Sequence, residues 1–261
     1  MKSHLKAMGS SLLITLSFVL GIGILSSAAM MAFKNSAEHV AFISGMAQAI
    51  YLLLVLLLLR IKKIDLKNTY GLTAVPVKKY LLPVAAAFCF SAFSNILQAT
   101  APIPPELIGG MSDDMEKSMI AFILSVFIIA PVVEEFVFRA LIMTALRKGI
   151  STTVSIFISA LLFALIHSMA GGILIVVHAF LGGLIFALSY VKTKSLFPAI
   201  IAHIFGNIGG YVPAVTGSLP AATQYGLAAG LGLISVICCA GLLRKHTASG
   251  GSADFVGTNN S

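Results

Sequence analysis

The sequence contains very little charge for its length. Only 10% of its 261 residues are charged, whereas 58% are hydrophobic, and the mean hydropathy is +1.01. A soluble core does not need so much apolar sequence, so a water-soluble globular protein is excluded. The net charge of +8 does not indicate nucleic-acid binding, because the basic residues lie beside apolar runs and form no aromatic-interleaved patch. The composition predicts an all-α, polytopic membrane protein whose partner is the lipid bilayer.

Cysteine is scarce, and no sequence repeat is evident. The cysteines are Cys89, Cys238 and Cys239, and all lie in apolar runs. Their spacing suits neither a disulfide framework nor a zinc knuckle, so we interpret them as small packing residues. The lack of a repeat leaves an inverted-repeat transporter without support.

Apolar runs predict about eight transmembrane helices. The predicted spans are 11–33, 39–59, 80–101, 118–146, 151–167, 172–191, 196–212 and 225–243. We expect one integral-membrane domain over residues 1–246. Residues 247–261 are rich in Gly, Ser, Asn and Thr, which predicts a disordered cytoplasmic tail.

The basic residues predict the orientation of these spans. With a cytoplasmic N-terminus, the inner segments hold most Lys and Arg residues: Lys2, Lys6, Arg60, Lys62, Lys63, Lys67, Lys78, Lys79, Arg147, Lys148, Lys192, Lys194, Arg244 and Lys245. The positive-inside rule therefore predicts a multi-pass protein of the cell membrane with both termini in the cytoplasm. The first apolar run could also be a cleaved signal peptide, but it continues past a small-residue stretch to Phe33, so we expect it to be retained.

Glu134 and Glu135 are the only carboxylates within a predicted span. A charge at the centre of a span costs about 2.5 to 3.5 kcal/mol on insertion scales, so such residues need a partner or a function. Glu135 and Arg139 are four residues apart and are expected to pair on one helix face. Glu134 is rotated by about 100° and is left without that partner. Pro131 removes a backbone donor, so the helix is expected to kink or open there.

Histidines His167, His178 and His203 also fall in predicted spans. His203 and Asn207 are four residues apart, so both can address a single point from one helix face. His178 has no polar neighbour at helical spacing, and we interpret it as hydrogen-bonded to a neighbouring helix. An intramembrane histidine often does only that, and this alternative stays open for His167 and His203.

The polar residues of these spans form a recognisable series. The motifs, in chain order, are Glu134-Glu135-x-x-x-Arg139, Phe163-x-x-x-His167 and His203-x-x-x-Asn207. This series resembles the CPBP family of intramembrane proteases, which includes type II CAAX prenyl endopeptidases and bacterial proteins linked to bacteriocin self-immunity. The resemblance covers about residues 120–211. One departure is Ala140, where the family often has glycine.

The resemblance implies an intramembrane endopeptidase that acts on a membrane-associated peptide or a lipidated protein. It implies that Glu134 is the general base and that His167 orients or activates the water. His203 and Asn207 would donate to the oxyanion. Arg139 is expected to hold Glu135 ionised and in place. Rival intramembrane proteases are disfavoured because the chain has no His-Glu-x-x-His, no intramembrane Asp and no Gly-x-Ser-x-Gly.

Several alternatives remain open. Glu134, His167 and His203 would suit a catalytic zinc, but a glutamate-driven reaction needs no metal, and we expect no required cofactor. The same fold could serve as a non-catalytic membrane adaptor or bacteriocin-immunity protein. A proton-coupled transporter could use Glu134 and His167 as a relay.

On straight helices, the candidate residues would lie at different depths in the membrane. Counted from the presumed inner ends at about 1.5 Å per residue, Glu134 lies about 18 Å deep, His167 about 25 Å and His203 about 10 Å. We expect tilt and the break at Pro131 to bring them together in a cavity open to the cytoplasm. Side chains more than about 10 Å apart would defeat the catalytic hypothesis.

Overall fold

The computed structural model describes residues 2–32, 40–103, 119–168 and 172–244, and within these ranges it contains helices and no strand. The helices are α1 (Lys2–Ala32), α2 (Val40–Ile61), α3 (Leu66–Tyr70), α4 (Lys78–Thr100), α5 (Met119–Arg147), α6 (Thr152–His167), α7 (Ile173–Thr193), α8 (Leu196–Gly209), α9 (Val212–Thr216) and α10 (Ala221–Leu243).

The prediction of an all-α, polytopic membrane protein is confirmed. Seven helical segments in the described ranges are long and apolar enough to cross a membrane, with α8 and α9 counted together. The predicted span 151–167 corresponds to α6, which has 16 residues. A helix of that length measures about 24 Å against a hydrocarbon core of about 30 Å. The predicted tail 247–261 lies outside the described residues, as do the end of the predicted span 11–33 and the starts of the predicted spans 39–59 and 118–146.

The helices differ sharply in how much of their surface is covered by protein. Most of α1 faces outward, and Leu13 on this helix is 68% exposed. The Phe18 ring of α1 nevertheless packs against the Phe138 ring of α5, with 5.9 Å between the ring centroids. In α5, seven of the eight residues Phe136–Met143 are buried. The fold therefore surrounds α5 with apolar helices whose outer faces are left for lipid.

One end of the helix bundle collects the basic segments, and we call it the basic end. A Cβ added to Gly149 would lie 2.5 Å from the Ser3 carbonyl oxygen, so the chain start touches the loop after α5. Lys192 donates to the carbonyl of Arg244, joining the ends of α7 and α10. Ser195 donates to the Thr73 carbonyl at 2.6 Å, which adds the loop after α3. The segments predicted to be cytoplasmic therefore lie together.

The opposite end joins the end of α4 to the start of α10, where the Tyr225 hydroxyl donates to the Thr100 carbonyl at 3.3 Å. Charged residues are rare among the described residues at this end. The two ends differ in charge as the positive-inside rule requires, and the assignment of the basic end to the cytoplasm remains a prediction.

Helix α5 is continuous but not uniform. Two π-helical stretches, Ile123–Ile129 and Phe136–Met143, flank the α-helical stretch Ala130–Glu135. The N–H of Ala130 donates to the carbonyl of Ser125, five residues back. The next bond with the same five-residue spacing would run from residue 131 to the Val126 carbonyl, but Pro131 has no N–H to donate. The opening expected at Pro131 thus takes the form of a wide turn just before it, with one carbonyl lacking a helical donor.

Candidate active site

A buried ion pair on α5 forms the base of the site. The Arg139 Nε lies 3.1 Å from Glu135 Oε2, and both side chains are fully buried. Arg139 Nη2 also donates to the Gly183 carbonyl of α7 at 3.0 Å, and its guanidinium lies 4.8 Å from the Phe163 ring centroid. The predicted pairing of Glu135 with Arg139 is confirmed. Removing one partner of such a pair would leave the other charge buried and uncompensated.

The second oxygen of Glu135 holds His203 on α8. Glu135 Oε1 lies 2.9 Å from His203 Nδ1. An ionised carboxylate can only accept, so Nδ1 carries the hydrogen and Nε2 is turned the other way. The imidazole also stacks on the Phe186 ring, at 4.4 Å between centroids and 17° between planes. Arg139, Glu135 and His203 thus form one hydrogen-bonded and charged series that fixes the orientation of the imidazole.

Glu134 is the acid that reaches open space. Its Oε2 lies 3.8 Å from His203 Nε2, and its side chain keeps 13% exposure, whereas Glu135 keeps none. The rotation of about 100° between adjacent helical residues explains this difference. Two neighbouring carboxylates therefore have separate environments, one fixed in an ion pair and one facing a cavity.

His167 is the last residue of α6 and faces the same cavity. Its Nδ1 lies 2.8 Å from the Phe163 carbonyl. A carbonyl can only accept, so Nδ1 is the protonated nitrogen of the neutral ring and Nε2 is the one able to accept. The Phe163 ring packs between the two imidazoles, at 4.5 Å from His167 and 5.7 Å from His203.

Asn207 fills the gap that Pro131 leaves in α5. Its Nδ2 donates to the Val126 carbonyl at 2.8 Å, the carbonyl without a helical donor. Asn207 thereby ties α8 to the wide turn of α5. One Nδ2 hydrogen is committed to this structural bond, and the other remains for a ligand.

The candidate residues surround one cavity of about 290 Å³. Glu134, His167, His203 and Asn207 all line it, although straight helices of full length would have separated them. Helix α6 has only 16 residues, so His167 at its end lies inside the bundle beside the cavity. The convergence that the catalytic hypothesis requires is therefore present, while the roles of these residues remain predictions.

The cavity lies farther from the basic end than expected. His167 ends its helix away from that end, and Ile175 lines the cavity from the third residue of α7. The lining residues of α4 extend to Gln98, two residues before that helix ends at Thr100. The expected opening to the cytoplasm depends on which end of the bundle faces the cytoplasm, and it remains a prediction. The end of α6 places His167 in the half of the bundle away from the basic end, whereas His203 is the eighth residue of α8 counted from the basic end.

The polar lining from α4, which consists of Ser91, Asn95 and Gln98, was not predicted from the sequence. His178 bridges two serines of α4, with Nε2 3.3 Å from Ser91 Oγ and Nδ1 3.0 Å from Ser94 Oγ. It is bonded to a neighbouring helix, as interpreted, but it also lines the cavity beside Ser91, Asn95 and Gln98. The signal was available, because polar residues recur every three or four positions of α4 in an otherwise apolar helix.

Glu134, His167 and His203 were considered as zinc ligands. In the ranges that the structure describes, no group of three His, Cys, Asp or Glu residues could hold a metal ion. His203 directs Nδ1 to Glu135, so Nε2 is the one nitrogen of this imidazole that faces Glu134. The reaction proposed below therefore uses no step through a metal.

Comparison with known proteins connects this geometry to a family. Residues 116–209 match the family model described as Rce1-like, Type II CAAX prenyl endopeptidase Rce1-like. The matched stretch contains all the candidate site residues named from the motifs, whereas α4 lies outside it. No curated protein and no solved structure matches the chain.

Proposed function

We propose that this chain, whose residues 116–209 match the Rce1-like family model, is an intramembrane endopeptidase of the CPBP family. It would hydrolyse a peptide bond in a membrane-associated peptide or protein, in the manner of a CAAX protease. One observation supports this most directly. A cavity-facing carboxylate, Glu134, lies beside an imidazole that a buried ion pair orients, which is the arrangement of a general base with positioned partners.

The first step is attack by water. A water in the cavity would lie between the carboxylate of Glu134 and the Nε2 of His167, which is the nitrogen able to accept. Glu134 takes a proton as the water oxygen bonds to the scissile carbonyl carbon, and the carbonyl π electrons move onto its oxygen. When the C–N bond breaks, Glu134 returns that proton to the leaving amine. Atoms and charge balance without a cofactor.

The oxyanion is stabilised by donors on α8. His203 donates from Nε2 when it is doubly protonated, and the carboxylate of Glu135 on its Nδ1 stabilises that imidazolium. Asn207 contributes its remaining Nδ2 hydrogen. Arg139 and Glu135 do not touch the substrate in this scheme, so they are positioning residues.

Peptide release from cells tests the proposal. Membrane and released peptides would be compared between wild-type cells and cells with Glu134→Ala or Glu134→Gln. We expect a defined set of fragments to disappear in both variants. A lipid-facing change such as Leu13→Ala serves as the control, since Leu13 is 68% exposed and does not line the cavity. Identical peptides in all strains would remove the protease.

A non-catalytic adaptor or immunity protein of the same fold is the second candidate. The structural bond from Asn207 to Val126 favours it, because this asparagine has a role in stability that requires no chemistry. The two candidates differ in their response to Glu134→Ala. Full function of that variant in cells, at normal abundance, would support the adaptor.

A further inference from the structure

Three polar residues of α4 form a stripe along the cavity. Ser91, Asn95 and Gln98 lie on successive turns and all line the cavity, and together we call them the polar stripe. Seven residues of helix separate its ends, which corresponds to about 10 Å. The stripe contains none of the family motifs and lies outside the family match.

The stripe presents hydrogen-bond acceptors to the cavity. Asn95 uses its Nδ2 on the Ser91 carbonyl at 2.9 Å, and Gln98 uses its Nε2 on Ser94 Oγ at 3.0 Å. Among the described residues, none donates to the side-chain oxygens of Asn95 and Gln98. Because the Gln98 nitrogen makes two bonds to Ser94 and the Asn95 nitrogen makes one to Ser91, the groups left for a ligand are the two amide oxygens and one Nδ2 hydrogen of Asn95.

Such acceptors suit the backbone of an extended peptide. A peptide in the hydrocarbon region must have its N–H groups hydrogen-bonded, since each unsatisfied group costs several kcal/mol there. Three residues of extended chain cover about 10 Å, which is the length of the polar stripe. Polar residues within a span also mark the water-filled side of the bundle.

The stripe leads away from the basic end. Helix α4 begins at the basic end with Lys78 and ends at Thr100 on the opposite end, and Gln98 lies two residues before that terminus. Tyr211, which follows α8, lines the same part of the cavity. If the basic end is cytoplasmic, as the positive-inside rule predicts, the cavity extends toward the extracytoplasmic face.

We propose that water and substrate reach Glu134 from the extracytoplasmic side along the polar stripe, whose amide oxygens accept from the substrate backbone. The substrate is then an extended peptide exposed on that side, such as an exported peptide or the outer end of a membrane span. A lipidated tail in the cytoplasm does not fit this route. The substrate class rests on the proposed protease function, whereas the route does not.

Thiol labelling in intact cells tests the route without requiring catalysis. In a background with Cys89, Cys238 and Cys239 changed to alanine, a single cysteine is introduced as Gln98→Cys or Asn95→Cys, and as Lys79→Cys at the basic end. A membrane-impermeant maleimide should label the first two in intact cells at least tenfold faster than the third, which should react only after permeabilisation.

The opposite labelling pattern, or stripe cysteines that react in neither condition, would overturn the proposed route. Leu13→Cys on the lipid-facing side of α1 gives the background labelling rate for a position that faces lipid. Using two stripe positions protects the test from one variant that fails to fold, and recovery of each variant from the membrane is measured in parallel.

Blocking the stripe separates the route from the chemistry. Cells with Gln98→Cys would be treated with a bulky impermeant maleimide before the Glu134-dependent fragments are measured. We expect at least a tenfold loss of fragments, and no loss in treated cells that lack all cysteines. Unchanged fragments despite complete labelling would overturn the route. If no Glu134-dependent fragment exists in any strain, the protease proposal fails while the labelling result still decides the route.

Discussion

The cavity has two walls that differ in origin and in chemistry. The acid wall consists of Glu134 with His203 and its buried support, and it comes from α5 and α8 within the family match. The amide wall consists of the polar stripe with His178, and α4 lies outside that match. The first wall holds charge in one orientation through an ion pair, whereas the second offers neutral donors and acceptors. The comparison suggests that one wall performs the reaction and the other selects what is bound.

The largest expected effect comes from Glu134→Gln on the acid wall. Loss of a general base lowers the rate about a hundredfold to ten-thousandfold. Peptide release by the purified protein in detergent would measure this. The thermal unfolding midpoint should change little, because the Glu134 side chain faces the cavity. Retained activity would break the assignment of chemistry to this wall.

Arg139→Met tests the support behind the acid wall. The variant leaves Glu135 buried without its cation, and we expect a loss of about 3 to 5 kcal/mol in unfolding free energy. Denaturant unfolding in detergent measures it. Arg147→Met at the end of α5 is the matched control, since Arg147 lies outside this ion pair. Equal effects of the two changes would show that the buried pair is not important for stability.

Asn207→Leu separates structure from chemistry on α8. The change leaves the Val126 carbonyl without a donor, which costs about 1 to 3 kcal/mol. Asn207→Asp loses the same donor but keeps the side-chain size, so it should be destabilised similarly. If both variants unfold like wild type while activity falls, the bond to Val126 is dispensable and the oxyanion role is favoured.

Asn95→Leu tests whether the amide wall contributes to substrate binding rather than to the reaction. Removal of one neutral hydrogen bond to the substrate should raise KM about threefold to tenfold and leave kcat nearly unchanged. Steady-state kinetics with a peptide that the wild-type protein cleaves would measure both constants. A loss confined to kcat would contradict the division of roles between the walls.

The smallest expected effect follows metal removal. We expect activity to persist in protein freed of metal by a chelator, because the candidate ligands form no three-residue metal group. Metal content would be measured in the same sample. Activity that disappears with zinc and returns with stoichiometric zinc would refute this expectation.

The contacts within one helix could be predicted from residue spacing alone. The pairing of Glu135 with Arg139 and the exposure of Glu134 to open space both come from the helical period, and both are present. The Glu135–His203 bond was not foreseen, because these residues are 68 positions apart and no local rule connects them. The bond from Asn207 to Val126 was missed for the same reason, although Pro131 indicated that a carbonyl would lack its donor.

By itself, the order of residues determined that the chain is helical, lies in a membrane and carries acids where lipid would otherwise be. It also determined which neighbours share a helix face, because the helical period is a local property. Only the tertiary structure decided that the acids and imidazoles meet, that α4 supplies the opposite wall and that the cavity lies away from the basic end. Those outcomes depend on where short helices stop and how they pack, which are distances between helices rather than along the chain.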